Sequence, residues 1–193
     1  MAPWPEVGGT AGPVPIEMGT ERLRLRRWRA GDLEPFADLN ADPQVMEHLP
    51  APLSRAESDA MVERIEETFD VRGFGLWAVE VRASGAFAGY VGLWPATFDA
   101  HFTPAVEVGW RLARSQWGRG YATEAARAAT GDGFDRLGLS EIVSFTAAVN
   151  GRSQRVMDKL GMTRDPTDDF DHPALPESHR LRRHVLYRLT TRR

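Results

Sequence analysis

The chain has 193 residues, 42% hydrophobic and 26% charged, with a formal net charge of −3, so collagen-like, low-complexity and wholly disordered chains are excluded. At this length a single domain buries roughly 70% of the surface its unfolded chain exposes, no apolar run approaches the ~18 residues that span a bilayer, and the negative balance argues against general affinity for nucleic acid or membrane. Cysteine is absent, which excludes disulfides, thiolate metal sites and an acyl-cysteine intermediate.

Residues 1–19 carry Pro3, Pro5, Pro13 and Pro15 and no basic residue, and read as an N-terminal extension to one domain over 20–193. With Arg22 the first basic residue, no secretory signal is expected, and the expected location is cytoplasmic. Leu23 and Leu25 alternate with Arg22, Arg24 and Arg26 in a half-buried strand. Those arginines, with Arg27 and Arg29, read as a solvated strand face, not a nucleic-acid patch. Asp32 suits an N-cap ahead of a helix with Leu33, Phe36 and Leu39 on one stripe, and Pro35 falls in its first turn. After a turn at Asp42-Pro43, Ser54 and Glu57 fit a capping box. The helix behind it carries Met61, Val62, Ile65 and Phe69.

Strands follow at Leu76–Val81, Phe87–Trp94 and, after an irregular stretch over 95–104, Ala105–Leu112. In the last, Val106, Val108, Trp110 and Leu112 share one face and Glu107, Gly109 and Arg111 the other. An alanine-rich helix spans Tyr121–Leu137, in which Gly131 and Gly133 make sense if the helix packs closely on a neighbour. A strand at Ile142–Thr146, a helix at Asn150–Leu160 stopped by Gly161, a short strand around Met162–Asp165, an acidic loop Asp165–Asp171 and a strand His184–Leu189 complete the chain. The five histidines show no metal-ligand spacing, and no metal is expected.

The informative run is Trp117-Gly118-Arg119-Gly120-Tyr121-Ala122-Thr123-Glu124-Ala125. A strand ends, two glycines free the backbone, and a helix begins. Successive N–H groups and the helix dipole then converge on one anion site. Spacing alone leaves a ligand-free strand-to-helix turn equally open. A dinucleotide fingerprint would need glycine or a close substitute where Thr123 stands, and no Gly-Lys-Ser/Thr tripeptide exists for a nucleoside triphosphate.

This run resembles the acetyl-CoA loop of the GNAT acetyltransferases, particularly the RimJ/RimL-like branch. The pattern Gln/Arg-x-x-Gly-x-Gly/Ala reads here as Trp117-x-x-Gly120-x-Ala122, with Trp117 departing from the general form. Thr20-Glu21-Arg22-Leu23, Glu107-Val108-Gly109-Trp110, Asn150-x-x-Ser153 and Lys159-Leu160-Gly161-Met162 extend the resemblance over most of 20–190. It implies an α/β (α+β) fold with a mixed, mostly antiparallel sheet flanked by helices and splayed between its fourth and fifth strands. It also implies acetyl-CoA as cosubstrate, with its pantetheine arm against Trp110, Arg111 and Leu112 and its pyrophosphate on the loop Trp117–Thr123, where Arg119 is either a phosphate partner or a solvated side chain. Glu124 reads as an acid complementing the helix dipole.

N-acetyl transfer needs an amine stripped of its proton and a thiolate that can leave. Glu107, in mid-strand, is the candidate base, or a structural carboxylate. Ser153, on the face of Val156, Met157 and Leu160, points inward. The resemblance implies that it lies near the CoA sulfur and assists the departing thiolate; otherwise it bonds its own helix backbone. Asn150 bonds the pantetheine amides or caps the helix. The expectation is a direct-transfer N-acetyltransferase acting on a protein N-terminal or small-molecule amine. Its partners exclude nucleic acid and membrane and leave room for a homodimer. The rivals are transfer of another acyl group such as succinyl, which an arginine in the acyl pocket would favour, and a CoA-binding sensor without turnover.

Overall fold

The computed structural model describes residues 17–191. The extension expected over 1–19 therefore lies outside the described residues as far as residue 16, and its last three residues are not a tail. Glu17–Gly19 forms β1, an edge strand on β2, Leu23–Arg26. An α-helix follows, α1 at Leu33–Ala41, then α2 at Arg55–Arg72. Next come β3 at Leu76–Val81, β4 at Ala86–Ala96 and β5 at Ala105–Leu112. Helix α3 spans Tyr121–Asp135, β6 Glu141–Ala147 and α4 Gly151–Leu160. Short strands β7, Thr163–Arg164, and β8, Phe170–Asp171, precede β9, Arg183–Thr190.

The strands form one sheet in the order β1-β2-β3-β4-β5-β6-β9-β7, with β8 also on β9. Pairing is antiparallel throughout except between β5 and β6, which run parallel and share a single rung, Glu107 opposite Val143. On its other edge β5 is matched to β4 along its whole length, from Ala105 opposite Ala96 to Leu112 opposite Gly89. The sheet is therefore splayed between the fourth and fifth of the strands read from sequence, which are β5 and β6 once β1 is counted.

Local chemistry explains the helices. Ser54 Oγ accepts from the Glu57 N–H and the Glu57 carboxylate accepts from the Ser54 N–H at 2.8 Å, the reciprocal cap expected for α2. Its buried stripe of Val62, Ile65 and Phe69 packs on the sheet, with Phe69 edge-on to Trp77 at 5.1 Å. Helix α3 lies on β4 and β6 through Gly133, where a Cβ would stand 2.9 Å from Ile142 Cδ1 and 3.0 Å from Leu93 Cδ1. Gly131 meets nothing within 4 Å, so close packing accounts for one of the two helix glycines. The helix ends at Asp135, two residues earlier than its apolar pattern suggests.

The arginine strand face is not solvated throughout. Arg26 is 4% exposed and grips Asp32 with two nitrogens at 2.6 and 2.9 Å, while its Nε donates to Glu80 at 2.9 Å. Asp32 makes no side-chain cap for α1; its carboxylate also accepts the Arg29 N–H at 2.8 Å. The acidic loop is likewise engaged, with Asp168 bonded to Arg188 at 2.8 Å. Replacing Arg26 by Met leaves the buried Asp32 carboxylate without its cation and Glu80 with only its longer pairs to Arg24 and Arg29, which should cost about 3–5 kcal/mol. Urea unfolding of Arg26→Met measures this, and a loss below about 1 kcal/mol would make the network incidental.

Candidate active-site cleft

The turn between β5 and α3 has the conformation its glycines permit. Gly118 and Gly120 sit at φ 74° and 80°, the left-handed region that glycine enters without strain. Among the described residues the N–H groups of positions 118–123 have no internal hydrogen-bond partner, and the first helical bond is Glu124 N–H to Gly120 O at 3.0 Å. Six donors without an internal partner thus cluster at the start of a 15-residue helix.

Neighbouring side chains hold this turn. The Trp117 indole N–H donates to Leu112 O at 2.8 Å, tying the turn to the end of β5. Trp117 therefore braces the loop where the family pattern has Gln or Arg, and the Leu112 carbonyl is engaged by it. Glu124 does more than complement a dipole: it accepts from Thr20 Oγ1 at 2.6 Å, Arg22 N–H at 2.9 Å and Arg22 Nε at 2.6 Å. Partial burial opposes its charge, but these bonds win and hold its carboxyl below the usual range. Arg22 Nη1 also donates to Arg119 O at 2.9 Å, and its guanidinium lies 5.0 Å over the Tyr121 ring. The Arg119 side chain is exposed and is not among the residues lining the cleft.

From the turn a cleft of about 430 Å³ runs into the splay. One wall is Gly109–Leu112, the other Ser144–Thr146 with Asn150 and Ser153, and Tyr121, Ala122 and Thr123 lie at its mouth. Ser144 Oγ donates to Val108 O at 2.9 Å across the gap. Strand alternation then turns the N–H and C=O of Trp110 toward the same gap, past the last rung to β6. The Arg111 side chain lies on the Glu107 face of β5 and lines the cleft, with Nη1 donating to Asn40 Oδ1 of α1 at 2.5 Å.

Glu107 stands where the cleft ends. It faces a second cavity of about 400 Å³, bounded by residues 94–98, Phe145 and His172. Behind it Phe98, Phe102, Phe145 and Phe170 pack edge to face. Among the described residues no hydrogen bond or ion pair engages its carboxyl. Burial alone pushes that carboxyl up to about 8.

Ser153 is half-buried at the cleft wall, less deeply inward than its helical face suggests. Asn150 caps α4, its Oδ1 accepting the Ser153 N–H at 3.2 Å. Its Nδ2 donates to Thr146 Oγ1 at 2.9 Å and Ser153 Oγ at 3.1 Å. The serine hydroxyl is thus an acceptor from Asn150, makes no bond to its own helix carbonyls, and keeps its proton for a partner in the cleft.

Sequence reasoning missed the cations of α4. Arg152, Arg155 and Lys159 line the cleft at i, i+3 and i+7, a helical spacing visible in the sequence. Arg152 lies 4.5 Å over the Trp117 ring. It missed too the α1–α2 connection, which brings Gln44, Val45, His48 and Leu49 over the cleft. No group of three or more His, Asp or Glu side chains among the described residues is placed to hold a metal, and no described helix is long and apolar enough to cross a membrane.

A splayed mixed sheet thus has a helix N-terminus closing one end of its gap and the half-buried carboxyl of Glu107 at the other. Residues 22–163 match the family model described as an acetyltransferase (GNAT) domain. The chain belongs to the GNAT acetyltransferase family, which uses acetyl-CoA. It is 31% identical over 144 residues to the uncharacterized protein YkkB of Bacillus subtilis, covering 74% of this chain and 83% of that one. It is also 31% identical over 144 residues to the FsC-acetyl coenzyme A-N(2)-transacetylase of Aspergillus fumigatus, covering 70% of this chain and 60% of that protein. An acetyltransferase structure from Agrobacterium tumefaciens superposes with a TM-score of 0.72 at 26% identity, over 91% of this chain and 94% of that one.

The raised pKa of Glu107 makes stability depend on pH. A carboxyl whose folded pKa lies above its unfolded value stabilises the fold fully below about pH 4.5, and that contribution is lost as pH rises to about 8. The neutral variant Glu107→Gln escapes this loss. Its melting temperature relative to the native protein should rise steadily across that window and level off above it. A constant difference at every pH would mean that the carboxyl is hydrated.

Proposed function

We propose that the protein moves an acetyl group from acetyl-CoA to a primary amine by direct attack in a ternary complex, as an enzyme of the RimJ/RimL-like branch. One observation carries this reading: unpaired backbone donors at the β5–α3 turn, the open edge of Trp110 and the unengaged carboxyl of Glu107 line one continuous cleft.

The donors of 118–123 suit the pyrophosphate, with Arg152, Arg155 and Lys159 adding positive charge for the remaining phosphate. The N–H and C=O of Trp110 offer a strand-like edge to the pantetheine amides. Bound acetyl-CoA supplies an activated acyl carbon. Glu107, once ionised, takes the proton that an alkylammonium must lose before it can attack, and a base near 8 is matched to that task. The Ser153 hydroxyl, held at its oxygen by Asn150, is free to give its hydrogen bond to sulfur as negative charge grows there. Trp117 and Arg119 act on the loop: one braces it through Leu112 O, the other is held by its carbonyl.

Two variants separate binding from chemistry. Gly120→Val forces a branched side chain into φ 80° and should abolish most CoA affinity in calorimetry while the protein stays folded. Unchanged affinity would remove the cradle. Glu107→Gln should lower thiol release from acetyl-CoA, assayed across a panel of amines, by ~10²–10⁴ at saturating cosubstrate. Its CoA affinity should stay close to native, and the deficit should shrink for amines of low pKa. A rate within a few-fold of native for every amine would make Glu107 a structural residue.

A further inference from the structure

Most arginines that shape this fold are neutralised: Arg22 by Glu124, Arg26 by Asp32 and Glu80, Arg136 by Asp132, Arg188 by Glu141 and Asp168. Arg111 is different. Among the described residues no carboxylate lies within ion-pair distance of it, although it forms part of the cleft wall. Its Nη1 donates to a neutral amide oxygen, Asn40 Oδ1, its guanidinium lies 5.4 Å over the Tyr90 ring, and its Nε is buried with no hydrogen-bond partner. A cation drawn from water and given no counter-ion is costly unless something completes it.

The site is also built to keep the guanidinium in place. Asn40 is fully buried, and its Nδ2 donates to Ser58 Oγ at 2.9 Å, which leaves Oδ1 turned to Arg111. Tyr90 is the direct cross-strand partner of Arg111. Strand alternation puts Glu107, Gly109 and Arg111 on one face. Gly109 leaves the floor between them bare: a Cβ there would have only Glu107 Oε1 within 4 Å, at 3.5 Å. A fixed, uncompensated guanidinium therefore shares an open floor with the proposed base.

We propose that Arg111 receives a carboxylate carried by one of the two substrates, so that the enzyme selects either an amine that bears an acid group or an acyl chain that ends in one. This rests on the acyl-transfer reading above and adds to it the chemistry of the group brought beside the reacting amine. A guanidinium is suited to a carboxylate because its planar donors match the two oxygens. The bond it donates to Asn40 Oδ1 fixes its plane before substrate arrives.

The experiment has two kinetic arms and one binding arm. In the first, acetyl-CoA is offered with glycine, β-alanine and γ-aminobutyrate, each beside its own carboxamide, with rates expressed per free amine. In the second, a neutral amine is offered with succinyl-CoA beside butyryl-CoA. One arm should show a preference of about tenfold or more in kcat/KM for the charged member, carried by KM, and that arm identifies which substrate bears the acid. Arg111→Gln, which keeps a donor for Asn40, should bring the ratio close to one with CoA affinity near native. Ratios near one in both arms of the native protein, or a preference that survives in Arg111→Gln, overturn the proposal. Should no amine be acylated at all, the transfer reading fails by itself. Calorimetry of the CoA-loaded protein with glutarate against glutaramide then decides the anion site: selective binding of glutarate supports it, and equal or absent binding of both removes it.

Discussion

Strands β5 and β6 run in the same direction, and parallel neighbours cannot be joined by a hairpin. The chain must leave the sheet, cross it and return, and α3 is that crossover. Its first turn consequently lies at the carboxyl end of β5, beside the line along which two strands meet. Because the ladder there is reduced to one rung at Glu107, the backbone of β5 beyond it has an edge that no strand pairs among the described residues, and only Val108 O, through Ser144, and Leu112 O, through Trp117, are engaged by side chains. Donors at the helix start and donors and acceptors along a strand edge are thus delivered to one gap by topology. The side chains of Glu107, Ser153 and Asn150 then fall along it because they belong to the elements that border it.

Charge is arranged around that gap in two manners. Away from it, planar arginine forks lock elements together: Arg26 ties β2 to β3 and to the start of α1, and Arg188 ties β9 to β6. Along the walls of the gap, inside the Arg22–Glu124 clamp at its mouth, compensation is loose or missing. Arg152 meets Glu47 only at 3.6 Å with half its side chain in water, and Arg111 meets no acid among the described residues. Such a contrast is what a polyanionic ligand requires, since its own charge must complete the wall. The one acid lining it among the described residues, Glu107, has its carboxyl pushed up to about 8 by burial.

Much of this was legible from sequence because it is local. Capping at Ser54 and Glu57, alternation from Val106 to Leu112, and the glycine pair before Tyr121 each declare themselves within a few residues. Order along the chain then supplies the rest of the sheet. What escaped depends on partners distant in sequence. Alternation made Arg26 look solvated, yet Glu80 is 54 positions away and buries it. Glu124 looked like a dipole acid because Thr20 is 104 positions earlier. Arg111 entered the reading only as backbone, since nothing near it in sequence reveals Asn40 across 71 residues. Three residues at 17–19 are too few for a period of two to appear, so the edge strand they form could not be distinguished from the proline-rich stretch before it.

The clamp at Glu124 has one more consequence. Its carboxylate holds the amide hydrogen of Arg22, which sits in the short turn between β1 and β2, and the same residue belongs to the first turn of α3. Exchange of that amide with deuterium therefore requires the helix start and the sheet edge to part. Its protection is a spectroscopic gauge of how firmly the mouth of the cleft is set, readable without turnover and at a position that no ligand needs to touch.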